Sequence, residues 1–148
     1  MSNLYHADFA LWSAQQAKAL RSAARERSNA PLDWENLAEE IEGLGASERR
    51  ALGSHVRTVI ENLMKLRLSP ADDPRSGWRR IIRRARADIE VILETSPSLR
   101  RELPAIIGRE TARACPLVAD DMAEHGENPA GLNALSFDVD QVIGPWLP

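Results

Sequence analysis

Leu32-Asp33-Trp34-Glu35-Asn36-Leu37-Ala38-Glu39-Glu40-Ile41-Glu42-Gly43-Leu44-Gly45 holds a helix start, a core stripe and a helix stop within fourteen residues. Asp33 suits an N-cap, and the acids after it suit the positive end of a helix dipole. Gly43 and Gly45 can adopt the left-handed conformation that ends many helices, so the pattern predicts a short helix closing there. At about 100° per residue, Trp34, Leu37, Ile41 and Leu44 share one side, and Glu35, Glu39 and Glu42 fall opposite. Asp33, Asn36 and Glu40 line one margin of the apolar stripe, where any chemistry would sit.

Upstream, a second amphipathic pattern runs from about Asp8 to Arg27, with Tyr5, Phe9, Trp12, Gln16, Ala19, Leu20 and Ala23 on one side and Lys18, Arg21 and Arg25 toward the other. Gln16 is polar inside that stripe, and a buried amide needs partners or costs on the order of 1 to 3 kcal/mol. It is expected to be a hydrogen-bonded structural glutamine. Ser28 to Pro31 reads as a short turn, which implies that the two helices are antiparallel neighbours.

Downstream, Leu52, Val56, Val59, Leu63 and Leu66 alternate by four and three between Ser47 and Leu68, and Ile60 and Met64 widen the stripe. So wide a stripe predicts the central helix, with His55 and Asn62 on its margin. Pro70 and Pro74 mark a connection that neither neighbouring helix can absorb. A helix then starts near Ser76, with Trp78, Ile82, Ala85, Ile89, Ile92 and Leu93 as its core side. Arg75, Arg79, Arg80, Arg83, Arg84 and Arg86 make this the most biased segment, six arginines without an acid.

Ser96 and Pro97 fit the N-cap and first position of another helix. Leu99, Leu103, Ile106, Ala114 and Leu117 keep helical spacing to about Asp121, with breaks or kinks expected at Pro104 and Pro116. Glu110 and Arg113, three apart on that stripe, are candidates for an internal ion pair. Glu124 to Asn133 reads as an exposed loop. Asp138 and Gln141 form a capping box for a last short helix, ended by Gly144-Pro145-Trp146, with Trp146 folding back onto the rest. No alternating β run or repeat appears. The chain reads as all-α: a single helical domain over residues 1–148, a bundle of about five to six helices with antiparallel neighbours, short loops and a short C-terminal helix.

Composition narrows the function classes. The 148 residues suit one domain, and 43% hydrophobic content suffices for a core without a metal or disulfide staple. With 19 basic against 22 acidic residues, the net charge of −3 supplies no global attraction to nucleic acid or anionic membranes. Cys115 is the single cysteine, which excludes an internal disulfide. No signal-like run stands at the N-terminus, and no stretch approaches the roughly 20 apolar residues of a membrane span. These features point to a cytoplasmic protein.

Several of these stretches resemble one family. Tyr5, Asp8, Phe9, Trp12 and Gln16, the Leu32 to Gly45 stretch, Ser47-Glu48-Arg49-Arg50, Leu63-Met64-Lys65-Leu66, Ser76-Gly77-Trp78 and Ser96-Pro97-Ser98-Leu99 are similar to the domain of unknown function 29 family of bacterial proteins. Beyond about residue 100 the likeness loosens, although Asp140-Gln141-Val142-Ile143 and Trp146 to Pro148 are similar to the family's closing segment. Asn62 stands where the family often has a histidine. The resemblance implies a helical fold and a bacterial source, and it implies no activity.

No catalytic, metal or nucleotide motif stands out. The best polar cluster is Gln16, Asp33, Asn36, Glu40 and His55, in which two carboxylates could act as acid and base or hold a hard cation. Paired Glu-x-x-His sequences, the usual signature of metal sites in helical bundles, do not occur, so no metal or other cofactor is expected. The reading that needs least is a protein-interaction or self-associating module, in its simplest form a homodimer, without catalytic activity. The alternatives are nucleic-acid binding through the arginine-rich helix over residues 75–86, and an enzyme or metal-dependent hydrolase using Asp33 and Glu40. Five acids without a base between Asn29 and Ser47 face six arginines without an acid between Arg75 and Arg86 in sign, so Asp33 or Glu40 is expected to pair with Arg79 or Arg86.

Overall fold

The computed structural model describes residues 3–26 and 29–148. Among them there are six α-helices and no strand: α1 (Leu4–Ala7), α2 (Phe9–Arg25), α3 (Trp34–Leu68), α4 (Arg75–Thr95), α5 (Leu103–Glu124) and α6 (Val139–Ile143). Short 3-10 segments occupy Pro97–Glu102 and Leu132–Ala134. The chain falls into two compact units, Met1–Ala51 with Ile92–Arg100, and Leu52–Val91 with Arg101–Pro148. Arg27 and Ser28, the expected end of the first helix and start of the following turn, lie outside the described residues.

In the first unit Asp8 caps α2 by accepting the backbone N–H of Leu11 at 2.9 Å. Ser96 satisfies another amide of that first turn, its hydroxyl accepting from Ala10 N–H at 3.0 Å. The first amides of a helix have no partner within it, so these two side chains fix where α2 begins. The residues that α2 buries are Ala10, Ser13 and Ala17, all small. Gln16 is exposed, which corrects the expectation of a buried glutamine: the helix is rotated so that small residues, and not the larger stripe, face inward.

The same rotation governs α3. Its buried positions in this unit are Ala38 and Gly45. A Cβ built on Gly45 would lie 2.5 Å from the Ser13 hydroxyl oxygen, so the helices approach closely enough there that a side chain at that position would have to displace the Ser13 hydroxyl. The predicted helix stop at Gly43 and Gly45 is therefore wrong, and one 35-residue helix replaces the two expected. A glycine stop works through positive φ, and among the described glycines only Gly126 and Gly131 have it. A glycine inside a helix costs about 1 kcal/mol relative to alanine, which close packing of this kind can offset.

In the second unit the remainder of α3 carries the core. Leu52, Val56, Val59, Ile60, Leu63 and Met64 are fully buried, as expected of a central helix. Residues 69–74 turn the chain into α4. His55 meets Asp88, and Arg75 meets Leu66, so early positions of one helix face late positions of the other and the pair is antiparallel. Arg57 meets Glu110 and Lys65 meets Asp121, which makes α5 parallel to this part of α3.

Pro104 lies in the first turn of α5, where its missing N–H is not needed. Pro116 is inside α5, yet the helix continues to Glu124. No break occurs there, and Ala114, Val118 and Met122 on either side of Pro116 are buried. Leu117, placed on the core stripe by spacing, is exposed, and Val118 takes its place. Asp138 and Gln141 form the expected capping box of α6.

Candidate functional site

Of the polar cluster suggested by the sequence, Asp33 and Asn36 are hydrogen-bonded to each other. Asp33 accepts hydrogen bonds from the backbone N–H of Asn36 at 3.3 Å and from its side-chain amide at 2.6 Å. That is N-cap geometry, the carboxylate satisfying one of the first amides of α3. Glu40 and Gln16 are exposed. His55 belongs to the second unit, where its Nδ1 lies 3.8 Å from Asp88. Asn62, its neighbour on the margin, is buried and donates to the Thr58 carbonyl at 2.8 Å. Among the described residues no three potential metal ligands come together.

The arginines of α4 divide into two groups. Arg75 donates to the carbonyls of Leu66 at 2.7 Å and Ser69 at 3.3 Å, capping the C-terminal end of α3. Arg86 donates to the carbonyls of Gln141, Val142 and Trp146 at 2.7 to 2.9 Å. Burial lowers the pKa of its guanidinium from the ordinary arginine value. Both side chains thus neutralise the negative ends of helices or terminal carbonyls. Arg79, Arg80, Arg83 and Arg84 make no ion pair among the described residues, and the last three are exposed.

The acidic stretch and the arginine helix each find partners within their own unit: Glu42 receives Arg21 of α2 at 2.6 Å, and Arg86 binds carbonyls. The hydrogen bond from Arg21 holds the Glu42 carboxyl below its ordinary pKa. Charge balance along the chain carries no information about which neighbour is nearest, and α2 supplies its own bases at the right height.

Among the described residues the most buried carboxyl group is that of Glu110, whose side chain is only 3% exposed and has three arginines around it. Arg113 Nη1 lies 2.8 Å from Oε1, Arg109 Nε 3.6 Å from Oε1, and Arg57 Nη1 3.6 Å from Oε2. The pair with Arg113 was legible from spacing. The other two arginines were not, and the signal was Gly53: a Cβ there would sit 3.2 Å from Glu110 Oε1, so glycine makes room for the carboxylate. Glu61 lies close by, and burial pushes its carboxyl above the ordinary range while Arg57 and Lys65 pull the other way.

The first unit presents a different surface. Leu37 and Leu44, one heptad apart on α3, are 38% and 48% exposed. Tyr5 and Leu32 are also exposed, and Tyr5, Phe9 and Trp12 form a cluster of edge and stacked aromatic contacts with centroids 4.9 to 5.8 Å apart. Basic Lys18, Arg21 and Arg25 lie on α2, which has no acid, while Glu35, Glu39, Glu40 and Glu42 lie on the first turns of α3.

The chain is 30% identical to an α-helical protein of unknown function from Rhodospirillum rubrum ATCC 11170, solved at 1.45 Å, with a TM-score of 0.76 over 98% of this chain and 92% of that one. No protein of curated function matches it. A family model described as Domain of unknown function DUF29 matches residues 4–143, so the chain belongs to that family.

Proposed function

We propose that this is a single-domain, cytoplasmic, bacterial interaction module without catalytic activity, and that it pairs with a second copy of itself through the first unit. The observation that carries this reading is the exposure of Leu37 and Leu44 beside buried Ala38 and Gly45. A helix that turns its small residues inward leaves its large ones for another surface. Charge favours a second copy as the occupant. In a two-fold interface the basic α2 of one protomer meets the acidic start of α3 of the other, and the reverse contact forms at the same time. No described helix is long and apolar enough to cross a membrane.

Sedimentation or light scattering of the purified protein at micromolar concentration tests it. Twice the 16.4 kDa chain mass is expected, weakening with added salt. Leu37→Glu with Leu44→Glu should yield the single-chain mass at unchanged helix content. A wild-type protein that stays at 16.4 kDa throughout rules the reading out.

One observation favours a second reading, nucleic-acid binding by the unpaired Arg79, Arg80, Arg83 and Arg84 of α4. Four phosphate contacts would make affinity fall steeply with salt. Reversing Arg79 and Arg83 should then abolish retention on DNA or RNA while leaving the sedimentation behaviour intact.

A further inference from the structure

A pocket of about 280 Å³ opens in the second unit between the end of α3, the start of α4 and the end of α5. Met122 and Trp78, with Ala71 and Pro74, supply its apolar lining, and Lys65, Ser69, Asp121, His125 and Glu127 supply its polar groups. Three independent features build it. Arg75 caps the carbonyls of Leu66 and Ser69 and so fixes the last turn of α3. Gly126, with φ of +69°, reverses the chain after α5, and the Glu127 N–H returns to the Met122 carbonyl at 2.8 Å. Buried Ser69 then donates its hydroxyl to Glu127 Oε1 at 2.9 Å and accepts the N–H of Ala71 at 3.2 Å.

The two carboxylates of this pocket differ in their partners. Lys65 is neutralised by Asp121 at 2.9 Å. His125 Nδ1 donates to the Asp121 carbonyl at 2.8 Å. The Arg75 guanidinium is engaged with backbone carbonyls. Glu127 has a hydrogen bond on one oxygen only and no basic partner among the described residues. The Glu127 carboxylate, with one oxygen free of hydrogen bonds, therefore lines the same pocket as an indole and a thioether, the surroundings in which an ammonium group with an apolar body is held by a carboxylate and an aromatic side chain together.

We propose that this pocket binds a small primary ammonium compound, with its nitrogen on Glu127 and its apolar body against Trp78 and Met122. The same chemistry is offered by a free aryl-alkyl amine and by a lysine side chain. The test is titration of the intact protein at neutral pH, followed by the Trp78 indole and Met122 methyl NMR signals. The probes are phenethylammonium, Nα-acetyl-lysinamide and, as the anionic counterpart, 3-phenylpropionate. Saturable shifts with phenethylammonium but not with 3-phenylpropionate are expected, and saturation by the lysine compound instead would assign the site to a peptide side chain. Glu127→Gln keeps an acceptor for Ser69 and removes only the charge, so binding should weaken about tenfold or more while the spectrum stays folded. Equal response to amine and acid, no saturable response to either amine, or undiminished binding by Glu127→Gln overturns the proposal.

Discussion

Asp8 and Ser98, ninety positions apart, are joined by two hydrogen bonds: the Ser98 backbone N–H donates to Asp8 Oδ2 at 2.6 Å and the Ser98 hydroxyl to Oδ1 at 2.9 Å. The same carboxylate caps α2 through the Leu11 amide. One buried side chain thus sets a helix start and anchors the segment after α4. Asp8→Ala should lower stability by about 2 kcal/mol or more, since it removes a cap and charge-assisted hydrogen bonds together. Ser98→Ala alone should cost less. Urea unfolding of both single variants and the double variant checks the link, and strictly additive losses would mean that the two residues act independently.

The contact of Gly45 with Ser13 makes a contrast with Gly43, which has nothing within 4 Å of a built Cβ. Gly43→Ala should stabilise by about 0.5 to 1 kcal/mol through helix propensity and reduced chain entropy. Gly45→Ala should forfeit that gain, because the new methyl meets the buried Ser13 hydroxyl. Combining it with Ser13→Ala removes the obstructing oxygen and should recover much of the difference. Equal thermal midpoints for the two single alanine variants would show that the helices separate freely at this point.

Arg86 donates to three carbonyls of the segment after α5, those of Gln141, Val142 and Trp146. Arg86→Met keeps the stem and loses the fork, with an expected cost of about 2 to 3 kcal/mol. Arg86→Lys should rescue little, since a single ammonium does not reproduce the planar spread of donors. Amide exchange over residues 139–148 is the informative measurement. Unchanged protection there in the Met variant would contradict an anchoring role.

Glu61 supplies the pH dependence. Its folded-state pKa is raised by burial, so its protonated form is favoured on folding. The stabilising contribution of that proton is fully present below the ordinary carboxylate pKa and is lost as pH rises through the raised value. At neutral pH Glu61→Gln should therefore leave stability equal or higher, and the gap to the wild type should narrow on acidification through that window. A variant less stable at neutral pH would indicate that the nearby Arg57 and Lys65 outweigh desolvation.

Much of the local structure was legible in the residues themselves. The capping box of Asp138 and Gln141, the wide stripe from Leu52 to Leu66 and the Glu110–Arg113 pair depend on neighbours within one helix, where spacing alone brings groups together. Asp33 as an N-cap belongs to the same class. What spacing could not reveal is which side of a helix meets another helix. Gly45 read as a stop and Gln16 as buried, because a stripe of large apolar residues is the ordinary sign of a core, whereas here α2 and α3 approach at Ala10, Ser13 and Gly45, and the other residues these segments bury, Ala17 and Ala38, are also small. The pocket residues were hidden for a similar reason: Lys65, Ser69, Trp78, Asp121 and Glu127 come from three helix ends and a turn, and none signals the others along the chain. Helix existence and caps follow from interactions a few residues apart, so the sequence determined them. Rotation of helices about their axes, the partner of each arginine and the convergence of distant helix ends depend on close packing across the chain, and only the tertiary structure decided those.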